Sequence, residues 1–204
     1  AYVPVDPEYP QDRIEYMLED SEAKVVIDED TMLQISASGS FKSLATPTTP
    51  CYMIYTSGST GKPKGVVISQ ASVRACAAWN IKAFCLDATK KNLHHPSFSF
   101  DASTFDLFYP LAAGAEIHIL DNELRKDMDG MARYISEHHI TGMTQSTAIG
   151  MALLNQYDLD IEYIMLGGEK FLPVKKTTTK LFNGYGPTEF TCCSSYHVID
   201  QDKR

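Results

Sequence analysis

Ten consecutive residues, Thr56-Ser57-Gly58-Ser59-Thr60-Gly61-Lys62-Pro63-Lys64-Gly65, bring together four hydroxyl side chains, three glycines and two lysines. Each of these types suits an anion. Glycines let backbone N–H groups turn inward and approach closely. Hydroxyls add donors, and lysines bring positive charge to phosphate oxygens. A flexible surface hairpin is the plain alternative for such a composition, but the two lysines and the apolar runs on either side favour a phosphate cradle. A Walker A loop needs G-x-x-x-x-G-K-[ST] opening a helix. Here Gly58 and Gly61 are too close, Pro63 stands where the hydroxyl residue belongs, and a strand pattern follows.

A second segment, Asn183-Gly184-Tyr185-Gly186-Pro187-Thr188-Glu189, carries complementary chemistry. Glu189 is a hard oxygen ligand suited to Mg²⁺ bridging nucleotide phosphates. Thr188 can donate to a phosphate oxygen, the Tyr185 ring offers a stacking face, and Asn183 can both donate to and accept from a base edge. Alone, the segment would read as a turn between strands. Asp101, in Phe100-Asp101-Ala102-Ser103, can cap a helix starting at Ala102. The adjacent pairs His94-His95 and His138-His139 do not suggest a metal site, because neighbours diverge on a strand and on a helix alike. Cys192 and Cys193 have no base partner nearby and read as wall or core.

The elements that must hold these residues are legible from periodicity. Ile14, Met17 and Leu18 recur at helical spacing, and Ala23 to Ile27 reads as a short strand. Cys51 to Tyr55 and Val66 to Ile68 read as strands around the glycine-rich loop. Ser69 is a plausible N-cap for a helix presenting Val73, Ala77, Ile81 and Phe84. Beyond Leu93, strands at 116–120, 140–144, 161–166 and 180–182 alternate with helices at 102–112, 128–139 and 148–157. Such alternation predicts an α/β fold, with parallel sheets flanked by helices and function at the loops leaving the strand ends. Ser36 to Pro50 reads as a loop.

Bulk properties narrow the function classes. At 204 residues the chain can bury a sizeable core. A net charge of −8 argues against a general nucleic-acid binder. It leaves room for one nucleotide held by local donors. No apolar run is long enough to span a bilayer, and the first residues lack a signal core. Five cysteines without C-x-x-C spacing suit a reducing compartment, so a cytoplasmic protein is expected.

Across its whole length, the ten-residue loop is similar to the phosphate-binding loop of the adenylate-forming (AMP-binding) superfamily. Three further segments, in family order, resemble the adenylation domains of nonribosomal peptide synthetases. These are Ala1-Tyr2-Val3-Pro4-Val5-Asp6-Pro7-Glu8-Tyr9-Pro10, the Phe100-to-Ser103 segment, and Asn183 to Glu189. The resemblance implies the central part of such a domain. Residues 1–92 would form a partial N-terminal subdomain with the phosphate-binding loop. Residues 93–204 would form a flavodoxin-like subdomain holding the amino-acid pocket and adenine motif.

What the resemblance implies can be written residue by residue. ATP would be held by Thr56, Ser57, Gly58, Ser59, Thr60, Gly61, Lys62 and Lys64, and by Gly168, Glu169, Asn183, Gly184, Tyr185, Gly186 and Thr188. Glu189 would hold Mg²⁺, and Lys64, Thr188 and Glu189 would assist the reaction. Asp101 would pair with a substrate α-ammonium group, since a buried unpaired carboxylate is costly. Branches that activate acids without an amine do not need it. Phe100, Ala102, Phe105, Ala148, Met165, Gly167, Gly184, Cys192 and Cys193 would form the remaining wall. With no charge but Asp101 in that set, an uncharged aliphatic substrate such as valine is expected. The reaction would join the amino acid to AMP and pass the aminoacyl group to the phosphopantetheine of a peptidyl carrier domain, with neighbouring synthetase domains as partners and neither nucleic acid nor membrane involved. The family's ribose-binding Asp, hinge and C-terminal lobe with its catalytic Lys would lie beyond Arg204. The start of the N-terminal lobe would lie before Ala1, so weak or absent adenylation by this fragment is expected. Rival readings are an acyl-CoA ligase fragment and a non-catalytic nucleotide-binding or interaction module.

Overall fold

A computed structural model describes residues 1–33, 42–58, 62–171 and 173–200. The chain opens with α1 (Gln11–Asp20) and the single-turn α2 (Glu29–Met32), followed by the antiparallel hairpin β1 (Pro50–Thr56) and β2 (Lys64–Ser69). Helix α3 (Gln70–Phe84) leads into β3 (Lys91–His94), α4 (Ser103–Ala112), β4 (Glu116–Ile119), α5 (Met128–Glu137) and β5 (Gly142–Ser146). Then come α6 (Thr147–Gln156), β6 (Tyr163–Gly167), β7 (Lys180–Tyr185) and β8 (Ser195–Val198).

Six strands form one sheet in the order β4-β3-β5-β6-β7-β8, parallel except for the last. The five parallel strands therefore follow the 2-1-3-4-5 order of flavodoxin-like sheets, with the switch point between β3 and β5. Strand alternation separates two cores. Leu93, Met143, Ile164, Leu166 and Leu181 pack with Met131 and Ile135 of α5 and Leu153 and Leu154 of α6. Tyr163, Met165 and Phe182 pack with Phe105 and Tyr109 of α4, Phe84 of α3, and Tyr52 and Ile54 of β1. Residues from both sides of position 92 thus share the second core.

Local rules account for the helices. The Ser69 hydroxyl accepts from the backbone N–H of Ser72 at 3.3 Å, as an N-cap should. Of the predicted α3 face, Val73 and Phe84 are buried, and Ala77 and Ile81 pack partly buried against the same core. Helix α5 sends Met131, Ala132 and Ile135 inward at helical spacing. The hairpin is tied down by α1. Tyr55 donates its hydroxyl to Asp20 Oδ2 at 2.7 Å, and Tyr16 donates to the Pro63 carbonyl at 3.2 Å. Both bonds anchor the base of the loop between β1 and β2.

One expectation is corrected and one alternative reading is excluded. The Ala23-to-Ile27 run is not a strand. Val25 and Val26 are 74% and 51% exposed, and among the described residues no neighbouring strand completes a ladder for them. Asp101 does not cap α4. The N-cap position is Ala102, no side chain caps the helix, and the Asp101 backbone carbonyl instead accepts from Thr104 N and Oγ1. Two strands went unread: the four-residue β3, and β8, which runs back along β7.

Close approach of β5 to β6 requires Gly142, where an added Cβ would stand 2.1 Å from Tyr163 Cε1. Gly142→Ala is expected to destabilise the protein by about 1–3 kcal/mol. The change would be read as a lower urea midpoint at unchanged slope; an unchanged midpoint would mean that the Tyr163 ring yields freely.

Candidate functional site

All parallel strands of the sheet end on one side, and a cavity of about 510 Å³ opens there. It is lined by His95 and Ser97 beyond β3, Gln145 and Ser146 at the end of β5, Gly167 and Gly168 at the end of β6, and Gly184 and Gly186 at the end of β7. This is the crevice outside the carboxyl ends, next to the switch point, where open α/β sheets hold ligands. The turn before α4 supplies Phe100, Asp101 and Ala102, and the first turn of α4 supplies Phe105. Met165 and Cys192 complete the apolar wall.

Glycine keeps this wall open. A Cβ on Gly184 would meet Met165 Cε at 2.1 Å, and one on Gly186 would meet Cys193 Cα and Ser194 N at 2.6 Å. The following residues turn sharply. Thr191 and Cys192 both take left-handed backbone conformations, with φ of 59° and 78°. That turn sets Cys192 beside Asp101. Its thiol is pushed well above its usual range, by burial first and then by the Asp101 charge. The Tyr52 hydroxyl of β1 is likewise raised, by burial first and the same carboxylate second. The Asp101 carboxylate therefore lies within electrostatic reach of both the Cys192 turn and the hairpin.

The remaining predicted residues fall into three groups. Thr56 is half-buried at the end of β1, while Ser57, Lys62 and Lys64 are exposed. Gly58 sits so near the Lys62 carbonyl that a Cβ would stand 2.2 Å from its oxygen, with Lys64 Cγ at 3.1 Å. Ser59, Thr60 and Gly61 lie outside the described residues. β2 packs against the 3₁₀ turn Thr188–Phe190, which brings the base of the glycine-rich loop to the segment holding Thr188 and Glu189. Glu189 is exposed, Thr188 half-buried, and the Tyr185 ring 74% exposed, open to stacking. Asn183 lies half-buried in β7, and Glu169 is exposed, its backbone carbonyl accepting from Thr147 Oγ1 at 3.3 Å.

Two predicted wall residues lie elsewhere. Ala148 is exposed near the start of α6, and Ser146 and Ile149 face the cavity instead. Cys193 stands behind Gly184, with its thiol donating to the Ser195 carbonyl at 3.2 Å. Residues that sequence reasoning missed are His95, Arg125, Thr144 and Gln145, all lining the cavity. The position of β3 and β5 at the switch point would have indicated His95, Thr144 and Gln145, and nothing local in the sequence indicates Arg125.

Behind Thr144 lies Asp106 of α4, wholly buried, with no hydrogen-bond partner of good geometry for either carboxylate oxygen. Burial pushes its carboxyl well above the usual carboxylate range, a shift moderated by the neighbouring Thr144. No group of three or more His, Cys, Asp or Glu among the described residues could hold a metal ion. A lone exposed carboxylate such as Glu189 fits Mg²⁺, which keeps several waters and binds through one or two carboxylates together with nucleotide phosphates.

A family model described as AMP-binding enzyme matches residues 34–204. Bacitracin synthase 1 of Bacillus licheniformis is 32% identical over 219 residues, covering 98% of this chain and 4% of its own length. Tyrocidine synthase 2 of Brevibacillus parabrevis is 33% identical over 226 residues, covering all of this chain and 6% of its own. The chain thus spans a few per cent of the length of these relatives. Among solved structures, the Klebsiella oxytoca NpsA N-terminal subdomain in complex with 3-hydroxyanthranilyl-AMSN superposes with a TM-score of 0.84 at 23% identity. That alignment covers 97% of this chain and 57% of that one, a likeness of fold.

Two outcomes are expected here. Gly58→Ala tests the expected phosphate role of the loop: a loss of about tenfold or more in calorimetric ATP affinity is the expected outcome, because the loop would have to shift its backbone donors, and unchanged affinity would remove the loop from that role. Asp106 binds a proton more tightly folded than unfolded, so its contribution favours folding at low pH and is lost as pH rises above the unfolded carboxylate value. Asp106→Asn lacks that loss, so its stability relative to the parent should climb as pH rises above the unfolded carboxylate value. Urea melts across that rise would show parallel curves if Asp106 were ionised in the folded state.

Proposed function

We propose, from the premise that the chain belongs to the AMP-binding enzyme family, that it carries the amino-acid pocket and part of the nucleotide site of a peptide-synthetase adenylation domain. The reaction is ATP-dependent activation of an amino acid to an aminoacyl-adenylate. One observation carries this reading. Asp101 sits at the rim of an apolar cavity, and its carboxylate caps no helix. A half-buried carboxylate there can pair with a cation, and the α-ammonium group of an amino acid supplies one while its side chain enters between Phe105, Met165 and Gly184.

In the reaction, a carboxylate oxygen of the amino acid forms a bond to the α-phosphorus of ATP. The bond from that phosphorus to the bridging oxygen breaks, and pyrophosphate leaves with the electron pair. No proton need move, since the nucleophile is already ionised, so catalysis rests on alignment and on stabilising charge on the phosphoryl oxygens. Asp101 holds the ammonium and so aims the carboxylate. Backbone donors around Gly58, the Lys62 and Lys64 ammonium groups and the Thr188 hydroxyl meet phosphate oxygens, and the open Tyr185 ring takes the adenine. Mg²⁺, held through Glu189, would neutralise phosphate charge. Transfer of the aminoacyl group to a carrier-domain phosphopantetheine thiol belongs to the same reading, in keeping with the synthetase relatives.

The predominantly apolar wall around Phe105, Met165 and Cys192 favours an aliphatic side chain, with valine the leading substrate. Such pockets separate neighbours differing by a methylene by only ~1–3 kcal/mol, so isoleucine and leucine should compete.

Calorimetry with valine in the presence of ATP tests the assignment. Asp101→Asn is expected to weaken valine binding by about a hundredfold, the consequence of removing one partner of a desolvated charge pair, with ATP affinity unchanged. Equal affinity for isovalerate, which has no amine, would sink the amino-acid reading.

A further inference from the structure

A second cavity, of about 610 Å³, adjoins the first and shares with it the wall formed by His95, Ser97 and Arg125. Its chemistry differs. His94, only 2% exposed, lines it, and neither ring nitrogen has a hydrogen-bond partner among the described residues. An imidazole buried without a partner is costly, and such a group is a sign of a missing contact. His95 is anchored alongside, its Nε2 donating to the Arg125 backbone carbonyl at 3.1 Å. That bond directs the 3₁₀ turn Leu124–Lys126 towards the cavity.

Asp6, Glu8 and Lys126 line the same cavity. Asp6 accepts from the Ser97 hydroxyl at 2.8 Å and from the Glu8 backbone N–H at 3.0 Å. Glu8 faces Lys126 at 3.9 Å. The Arg125 guanidinium takes part in no ion pair among the described residues, although it lines both cavities. Burial, with the Arg125 charge behind it, holds the His94 imidazole down to about 4 and lowers that of His95. Near neutral pH the wall therefore presents the Arg125 cation flanked by two neutral imidazoles, with the Asp6 and Glu8 carboxylates and the Lys126 ammonium group on the same cavity.

We propose that His94 and Arg125 form an oxyanion-binding site in this second cavity, distinct from the nucleotide and amino-acid sites. A guanidinium offers a planar fork of N–H donors matched to carboxylate and phosphate oxygens. A neutral imidazole adds one N–H donor without the cost of burying a second charge. The ligand class is a small molecule bearing a phosphoryl or carboxylate group, in a cavity far larger than that group alone. Since Arg125 also borders the amino-acid cavity, occupancy of one cavity bears directly on the wall of the other.

The test is titration of the protein with inorganic phosphate and separately with acetate, followed by the His94 and His95 imidazole resonances and by calorimetry. Saturable binding that moves the His94 resonance is expected. Arg125→Gln should weaken it by about tenfold or more, as loss of a charge-assisted contact does. His94→Asn, retaining a donor, should weaken it less than His94→Leu. Preference for phosphate or for acetate identifies which oxyanion the site takes. Asp101→Asn should leave this binding unchanged whatever it does to valine, so the site and the amino-acid reading stand or fall separately. No saturable binding of either anion, or equal binding by Arg125→Gln with its fold intact by circular dichroism, would overturn the proposal.

Discussion

The common direction of β3, β5, β6 and β7 is the constraint from which the site follows. In a parallel sheet every strand ends on the same side, so residues far apart in sequence converge there without any special device. His95, Ser146, Gly167 and Gly184 meet around one cavity because each leaves a strand at that edge. The order β4-β3-β5-β6-β7 then opens a crevice at the switch point, where successive connections depart to opposite faces. Helix α4, packed on one face, carries Asp101 and Phe105 to that crevice, and α6, packed on the other, begins beside it at Thr147.

A second layer of organisation lies in which groups are left without partners. Most of the sheet is closed by apolar packing, with Leu93, Met143 and Ile164 wholly buried. Against that background, Asn92, His94 and Asp106 are among the buried polar groups with unpartnered atoms. Part of this layer is structural. Asn92 Nδ2 donates to the Tyr163 hydroxyl at 2.6 Å, joining β3 to β6 beneath β5. Such groups lower stability relative to an apolar core, and they concentrate where a protein binds other molecules.

The hairpin β1–β2 shows how a loop is presented by what surrounds it. Among the described residues of the glycine-rich stretch, the Pro63 carbonyl is held from outside, by the Tyr16 hydroxyl. The base of the loop is held by Tyr16 and Tyr55 against α1, and β2 leans on the turn that carries Thr188 and Glu189. The glycine-rich loop and the Glu189 turn, more than a hundred residues apart in sequence, are thereby made neighbours, while Tyr52 carries the same hairpin to Asp101.

By itself the sequence determined the α/β class, the hairpin around the glycine-rich loop, the α3 cap at Ser69, and the segments where chemistry is dense. These are local properties: glycine content, hydroxyl and lysine spacing, and periodicity are written residue by residue. Tertiary structure alone decided that Asp101 leaves its helix uncapped, that Ser146 and Ile149 rather than Ala148 face the cavity, and that Ala23 to Ile27 forms no strand among the described residues. It also decided that His94 and Arg125 share a wall. The reason is physical. A strand exists only with a partner to complete its hydrogen bonds, and a side chain's surroundings depend on which elements pack beside it. Neither is contained in the spacing of a single segment.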